Sequence, residues 1–237
     1  MRGERDAGLL VATYNVHGFV GRDGARDPKR VAQVLEEIDG DVMALQEVVA
    51  EADAVEELAR SLGAEAVMGP TLERHAGPFG NVLLSRLPIR SVRRLDLSVS
   101  GREPRGAIDC VLQAGTTPLR VVATHLGLQA RERRVQVRRL ATELTRPGPP
   151  VLVLLGDMNE WRRRLGSLAT LRSLLGPSTQ PRSFPAWRPA LPLDRIWTRP
   201  RALLRRAGVH RSRLARQASD HLPVYAEIAL RMPPTPL

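Results

Sequence analysis

The chain has one cysteine, one lysine and few aromatic side chains, and each shortage removes a class of protein. A single cysteine, Cys110, excludes an intrachain disulfide and a cysteine-built zinc cluster. It lies in the apolar run Ala107-Ile108-Asp109-Cys110-Val111-Leu112, which reads as a strand, so a packed and inert thiol is expected. Three phenylalanines, two tyrosines and three tryptophans leave few groups on which single-stranded bases could stack. No apolar stretch approaches the ~20 residues of a membrane helix. Met1 to Gly8 is polar, without the basic region and apolar core of a signal peptide. A soluble, cytoplasmic monomer with no transmembrane segment is the expectation.

What is present is a globular composition. Of 237 residues, 43% are hydrophobic and 26% charged, enough to bury a core without disulfides. Apolar runs and short turn signals follow one another from residue 10 to 230 without a low-complexity gap. One domain over residues 1–231 is therefore expected, with the Pro-rich 232–237 as a flexible C-terminal tail. The net charge is +11, from 36 basic and 25 acidic residues. A basic chain suits nucleic acid or anionic lipid, but Lys29 is the only lysine, and such an arginine bias also fits a GC-rich coding sequence.

The pattern mixes strands and helices. Leu9 to Val16 is short, rich in β-branched residues and stopped by Gly18, as a buried strand would be. Asp27-Pro28 opens a helix, with Asp27 as cap and Val31, Val34, Leu35 and Ile38 on one face. Asp41 to Val48 is the next strand, and Asp53 to Leu62 a helix ended by Gly63. Strands near 64–68, 81–85, 91–97, 106–113 and 119–125 lack intervening helical periodicity, which predicts antiparallel pairs. Ala130 to Leu144 returns to helix, with Val135, Leu140 and Leu144 inward and Arg131, Arg133, Arg134, Arg138 and Arg139 mostly solvated. Val151 to Leu155 is a strand, Leu165 to Leu175 a helix, and strands at 193–197 and 222–229 close the domain.

Polar residues with catalytic capacity recur at the ends of these buried strands. They are Asn15 and His17, then Gln46-Glu47, His125, Asp157 with Asn159, Asp194, and Ser219-Asp220-His221. Any one of them is ordinarily a cap or turn former. Strand ends on one sheet edge converge, so together they can build one pocket. Carboxylate and amide oxygens are hard ligands that favour Mg²⁺ or Mn²⁺ over zinc. A hard divalent ion beside a His–Asp pair suits hydrolysis of a phosphate ester, where charge on non-bridging oxygens is stabilised and a water activated.

The ordered set Thr13-Tyr14-Asn15-Val16-His17-Gly18, Leu45-Gln46-Glu47-Val48, Gly80-Asn81-Val82-Leu83-Leu84-Ser85, Thr124-His125-Leu126, Gly156-Asp157-Met158-Asn159, Leu193-Asp194-Arg195-Ile196 and Ser219-Asp220-His221-Leu222-Pro223-Val224 resembles the endonuclease/exonuclease/phosphatase (DNase I-like) superfamily across residues 10–230. The resemblance implies a four-layer α/β sandwich, two face-to-face, mostly antiparallel β-sheets flanked by helices, and one Mg²⁺-dependent site. It implies Glu47 as the main metal ligand with Asn15 and Asp220 close by. Asp157 would orient the attacking water and Asn159 would hydrogen-bond the phosphate. His221, oriented by Asp194, would act as base or phosphate stabiliser, and His125 would contact the phosphate or assist the leaving group. Arg105 and His17 are candidate substrate contacts. DNase I-like nucleases carry a glutamate for the histidine at position 125, just before the strand that here begins Phe79-Gly80-Asn81. No acid stands there, and Glu73 is some residues away. That strand looks closer to the sphingomyelinase-like and lipid-associated phosphodiesterase branches.

The leading expectation is a Mg²⁺-dependent phosphodiesterase or phosphatase. A DNA or RNA endonuclease is the alternative, and a non-catalytic module binding anionic ligands a third. Between Trp161 and Arg216 lie 14 arginines against the single acid Asp194, leaving 22 basic and 24 acidic residues elsewhere. The excess predicts a cationic rim beside the catalytic mouth, able to gather a polyanion or make peripheral contact with an anionic membrane.

Overall fold

The structure, a computed structural model, describes residues 8–230 apart from 50, 51, 76 and 163–165. In chain order its elements are β1 (Gly8–Asn15), α1 (Pro28–Ile38), β2 (Val42–Val49), α2 (Ala52–Ser61), β3 (Glu65–Arg74), β4 (Gly77–Ser85), β5 (Ile89–Asp96), β6 (Gly106–Ala114), β7 (Thr117–His125), α3 (Ala130–Leu144), β8 (Val151–Asp157), α4 (Ala169–Leu175), β9 (Asp194–Arg199), β10 (Leu204–Val209), α5 (Ala215–Ala218) and β11 (Val224–Ala229). The strands form a six-stranded sheet, β10-β11-β1-β2-β4-β3, and a five-stranded sheet, β5-β6-β7-β8-β9.

Because successive side chains of a strand point to opposite faces, each sheet feeds two cores. Leu9 and Val11 of β1 pack inward with Val153 and Leu155 of β8 and with Ile108 and Leu112 of β6, filling the space between the sheets. Cys110 is buried in this layer, as its sequence context predicted. The alternate β1 residues Ala12 and Tyr14 face Val31, Val34 and Leu35 of α1 and Val55 and Leu58 of α2. On the far side Val122, Leu152 and Leu154 meet Val137, Leu140 and Leu144 of α3 and Leu171 and Leu175 of α4. Each fully buried Leu or Val contributes about 1.5–3 kcal/mol. The result is the expected helix–sheet–sheet–helix sandwich.

Two pairings are parallel, β1 with β2 through α1 and β7 with β8 through α3. The middle strands pair antiparallel, β3 with β4, β5 with β6 and β6 with β7, as their missing helical periodicity implied. The α1 start matches its sequence signature, since the Asp27 carboxylate accepts from the backbone N–H of Lys29 at 3.0 Å and of Arg30 at 3.3 Å.

Four expectations need correction. α3 has the predicted bounds but a different inner face: Val137 packs with Leu140 and Leu144, Val135 is half-buried, and Arg133 is buried instead of solvated. Residues 133, 137, 140 and 144 follow one helical stripe, and Arg133 is tolerated there because acceptors surround its guanidinium. Second, β3 and β4 extend well beyond the predicted runs to form a hairpin over Glu65–Ser85. Third, α4 starts at Ala169, and Leu165 lies outside the described residues. Fourth, β10 and α5 carried no sequence signal. β10 is a half-exposed edge strand whose register shifts at Arg205, and α5 is a single turn. The predicted tail, 232–237, also lies outside the described residues.

Candidate active site

Strand direction explains why the polar strand ends meet. β1, β2, β7 and β8 end at one edge of the sandwich, placing Asn15, Glu47, His125 and Asp157 there, with Asn15 paired to Gln46 and His125 to Asp157 in register. β9 and β11 run the other way, so their beginnings lie at the same edge. Asp194 pairs with Asp157, and Asp220-His221 leads directly into β11.

Local backbone departures aim these side chains. The pairing of β2 with β4 shifts register between Leu45 and Val48, and within this bulge Glu47 takes a left-handed φ of 57°. His17 (φ 48°) and Asn159 (φ 50°) share that sparsely populated conformation. Such strain persists where surrounding structure over-determines it, commonly at functional sites. Gly156 adopts φ 151°, and a Cβ there would lie 1.8 Å from the Thr124 carbonyl oxygen. Glycine at this position lets β8 lie close enough to β7 to set Asp157 beside His125.

Asn15 Nδ2 donates to Glu47 Oε1 at 3.1 Å and to Asp157 Oδ2 at 3.0 Å, tying two carboxylates from different sheets to one amide. Its Oδ1 accepts from the His17 backbone N–H. The other Asp157 oxygen accepts from the Asn159 backbone N–H at 2.9 Å. Asn159 Nδ2 donates to the Leu126 carbonyl at 2.8 Å and faces His125 Nε2 at 3.0 Å. Both amide hydrogens are therefore engaged, and in this arrangement Asn159 orients His125 instead of presenting a free donor to phosphate. The contact assigns His125 Nε2 as acceptor, with the ring proton on Nδ1. The carboxylates near the His125 ring, Asp157 at 3.6 Å and Glu47 at 4.0 Å, both approach Nε2. Glu73 sits in the β3–β4 hairpin, opposite Pro78.

His221 faces Asp194 Oδ2 through Nδ1 at 2.9 Å and approaches Asp157 Oδ2 through Nε2 at 3.7 Å. Burial alone would lower its pKa, but Asp194, Asp157 and Asp220 outweigh this and push it up to about 10, so the ring is a cation at neutral pH. His125 goes the other way: burial, with Arg105 and His221 nearby, outweighs the attraction of Asp157 and lowers it to about 3. Two imidazoles whose pKa values are pushed in opposite directions thus approach the same Asp157 oxygen, a separation of the kind that assigns distinct proton roles.

Asp157, Asp194 and His221, all buried, offer ligand atoms within 4.8 Å of one another. Glu47 and Asp220 are more open, with side chains 27% and 40% exposed. His17 lies beside Asp220, its Nδ1 3.9 Å from Oδ1. Arg105 is buried and lines a narrow crevice with Glu47, Asn81 and His125. The ten residues singled out in the sequence thus all lie at or beside this edge.

Sequence reasoning missed the residues behind them. Ser183 donates to the same Asp194 oxygen as His221, and the Phe184 ring lies 4.8 Å from the His221 ring, tilted by 49°. Both come from an irregular loop without a motif. Asn81, noted only as part of a strand motif, donates to the Gly106 carbonyl at 3.1 Å beside Arg105.

Among the described residues, the arginines of the 161–216 segment do not all lie at the site. β9 runs from Asp194 at the site to Arg199 opposite Leu152, near the far end of β8, so Arg199 lies away from the site. Arg206 pairs with Glu227 on β10 and β11. Arg195 is buried, donating to the carbonyls of Pro192 and Glu160. Of the Arg162–Arg164 run, only Arg162 falls among the described residues.

The sequence pattern of the endonuclease/exonuclease/phosphatase family matches residues 12–221. The Escherichia coli (strain K12) protein YbhP is 30% identical over 250 residues, covering 93% of this chain and 96% of its own. Among solved structures, an endonuclease/exonuclease/phosphatase from Beutenbergia cavernae superposes with a TM-score of 0.77 at 23% identity, covering 94% of this chain and 72% of that one. The Bacteroides thetaiotaomicron mannosyl-6-phosphatase Bt3783 gives 0.76 at 19% identity, covering 92% and 98%. At these identities the structures speak for the fold alone, while the match over residues 12–221 identifies this chain as a member of the endonuclease/exonuclease/phosphatase family.

Proposed function

We propose that the protein is a Mg²⁺-dependent hydrolase of phosphate esters, with a phosphodiester as its preferred substrate. The observation that carries this reading is the Asn15 amide held between the carboxylates of Glu47 and Asp157, beside His221 paired with Asp194 and His125 held by Asn159. The donor set consists of hard oxygens, which fits Mg²⁺ or Mn²⁺. Glu47, with Asn15 and Asp220, would hold the ion, which when bound would neutralise phosphoryl charge. The buried Asp157–Asp194–His221 group suits that role less, because the His221 nitrogen facing Asp194 is already committed to it.

The chain's own residues supply the rest. His221, kept protonated by Asp194, donates through Nε2 to a phosphoryl oxygen and offsets the charge that grows there. Asp157, fixed by the Asn159 N–H, orients the attacking water. His125, neutral and held by Asn159, contacts the leaving-group side, and Arg105 supplies a permanent positive charge. Leu128, Trp161 and Trp187, all exposed, sit on loops at the site edge. Exposed apolar groups of this kind support peripheral contact with a lipid surface.

Purified protein should hydrolyse bis-p-nitrophenyl phosphate with Mg²⁺ or Mn²⁺ and lose activity on chelation. Glu47→Ala and His221→Ala should each reduce kcat by about 10²-fold or more. Activity without metal, or in both variants, overturns the reading.

A further inference from the structure

A cleft of about 250 Å³ opens beside the site, lined by Gly69, Thr71, Arg94, Ser98, Arg105 and Gly106, among others. It lies between β3 and the β5–β6 connection. Thr71, Arg105 and Gly106 also line the crevice that holds Glu47 and His125, so the two spaces adjoin. We propose that this cleft is a second anion subsite, which takes a phosphate carried on the organic arm of the ester that the site hydrolyses. The identity of that ester rests on the reading above; the binding chemistry of the cleft does not.

Arg105 is only 7% exposed, and its buried Nε has no hydrogen-bond partner. An unmet buried donor is costly, and a guanidinium fork matches phosphate oxygens bidentately. Glu103, on the exposed connection, already places a carboxylate oxygen 2.6 Å from Arg105 Nη1. The fork thus accepts an oxyanion, and Glu103 can be displaced because its side chain is 43% exposed. Arg94 is the second cation on the wall, anchored through Nε to the Met68 carbonyl. Asp96, the acid lining the cleft, is ionised and offsets one of the two cations, which leaves the lining with a net positive charge. Its carboxylate accepts from the Ser98 N–H at 2.8 Å, and Ser98 and Arg139 hold it below the usual carboxylate range. The subsite therefore selects substrates with two anionic groups over those with one.

The test compares the p-nitrophenyl phosphodiester of glycerol with the same diester bearing a second phosphate on the glycerol. The wild type should favour the second by about tenfold or more in kcat/KM, the scale of one charge-assisted hydrogen bond. Arg94→Gln, at an exposed position that does not threaten folding, should bring the ratio towards one, and Glu103→Gln should raise it. A wild-type ratio near one, or a ratio unchanged by Arg94→Gln, overturns the subsite. If neither diester is hydrolysed, the phosphoesterase reading fails by itself. Calorimetry without metal then decides the cleft: glycerol bisphosphate should bind about tenfold tighter than glycerol phosphate, and Arg94→Gln and Arg105→Gln should remove the difference. Preferential sedimentation with vesicles containing phosphatidic acid would place the same phosphate on a lipid headgroup, while equal weak binding of every phosphate compound refutes the proposal.

Discussion

His221 Nδ1 lies 2.9 Å from Asp194 Oδ2 with both side chains buried, and Ser183 donates to the same carboxylate oxygen. The anion sets the ring's orientation and keeps it cationic. Asp194→Asn preserves volume but removes that charge, so kcat on bis-p-nitrophenyl phosphate should fall about 10²- to 10³-fold with KM changed only a few-fold. Steady-state kinetics separate the two. Ser183→Ala should cost less, because the His221 contact remains.

Arg133 and Glu160 form a buried ion pair at 3.2 Å, completed by Ser167 and the carbonyls of Gly127 and Leu128. Removing one partner strands the other, so Arg133→Ala should destabilise the fold by about 3–5 kcal/mol in urea unfolding.

The same pair gives an acid limb to stability. Burial would raise the Glu160 pKa, but the Ser167 and Arg162 N–H groups, the Ser167 hydroxyl and Arg133 outweigh it and bring it from 4.5 to about 2. The carboxylate's contribution is complete above 4.5 and is lost as pH falls towards 2. Unfolding free energy followed by urea titration should therefore drop across that window by about 3 kcal/mol more in the wild type than in Glu160→Gln.

Gly156→Ala should be far more damaging than its size suggests. The added Cβ meets the Thr124 backbone at 1.8 Å in a conformation that L side chains rarely adopt. We expect a loss of about 3 kcal/mol or more and a matching fall in Tm. Gly101→Ala, with φ 71° but nothing within 4 Å, should cost only the conformational penalty of about 1 kcal/mol.

Cys110 is fully buried, and burial with Asp109 alongside raises its thiol to about 12. Maleimide should fail to label the native protein at neutral pH and label it promptly in denaturant, making the residue a reporter of unfolding. Rapid native labelling would show that the inter-sheet core opens.

Strongly periodic elements were legible in the sequence. α1 shows its cap, its Pro28 start and its apolar stripe, and β8 shows a continuous apolar run; local chemistry suffices for both. Arg133 was misread because its charge suggests solvent, and only the far partners Glu160 and Ser167 make burial tolerable. β10 was missed because half its side chains face water, and α5 because one turn has no period to detect.

By itself the sequence determined the mix of helices and strands, the types of residue at the strand ends and the family resemblance that implied the layered fold, since these depend on local periodicity and short ordered motifs. Only the tertiary structure decided what those residues do to one another. Asn15 and Asp157 are 142 positions apart yet share a hydrogen bond, and Asn159 is turned onto His125 instead of outward. The opposite charge states of the two histidines and the joining of Arg105 to a second cleft likewise depend on burial and on neighbours brought from other strands. Those quantities are set by distance in space, which no local pattern encodes.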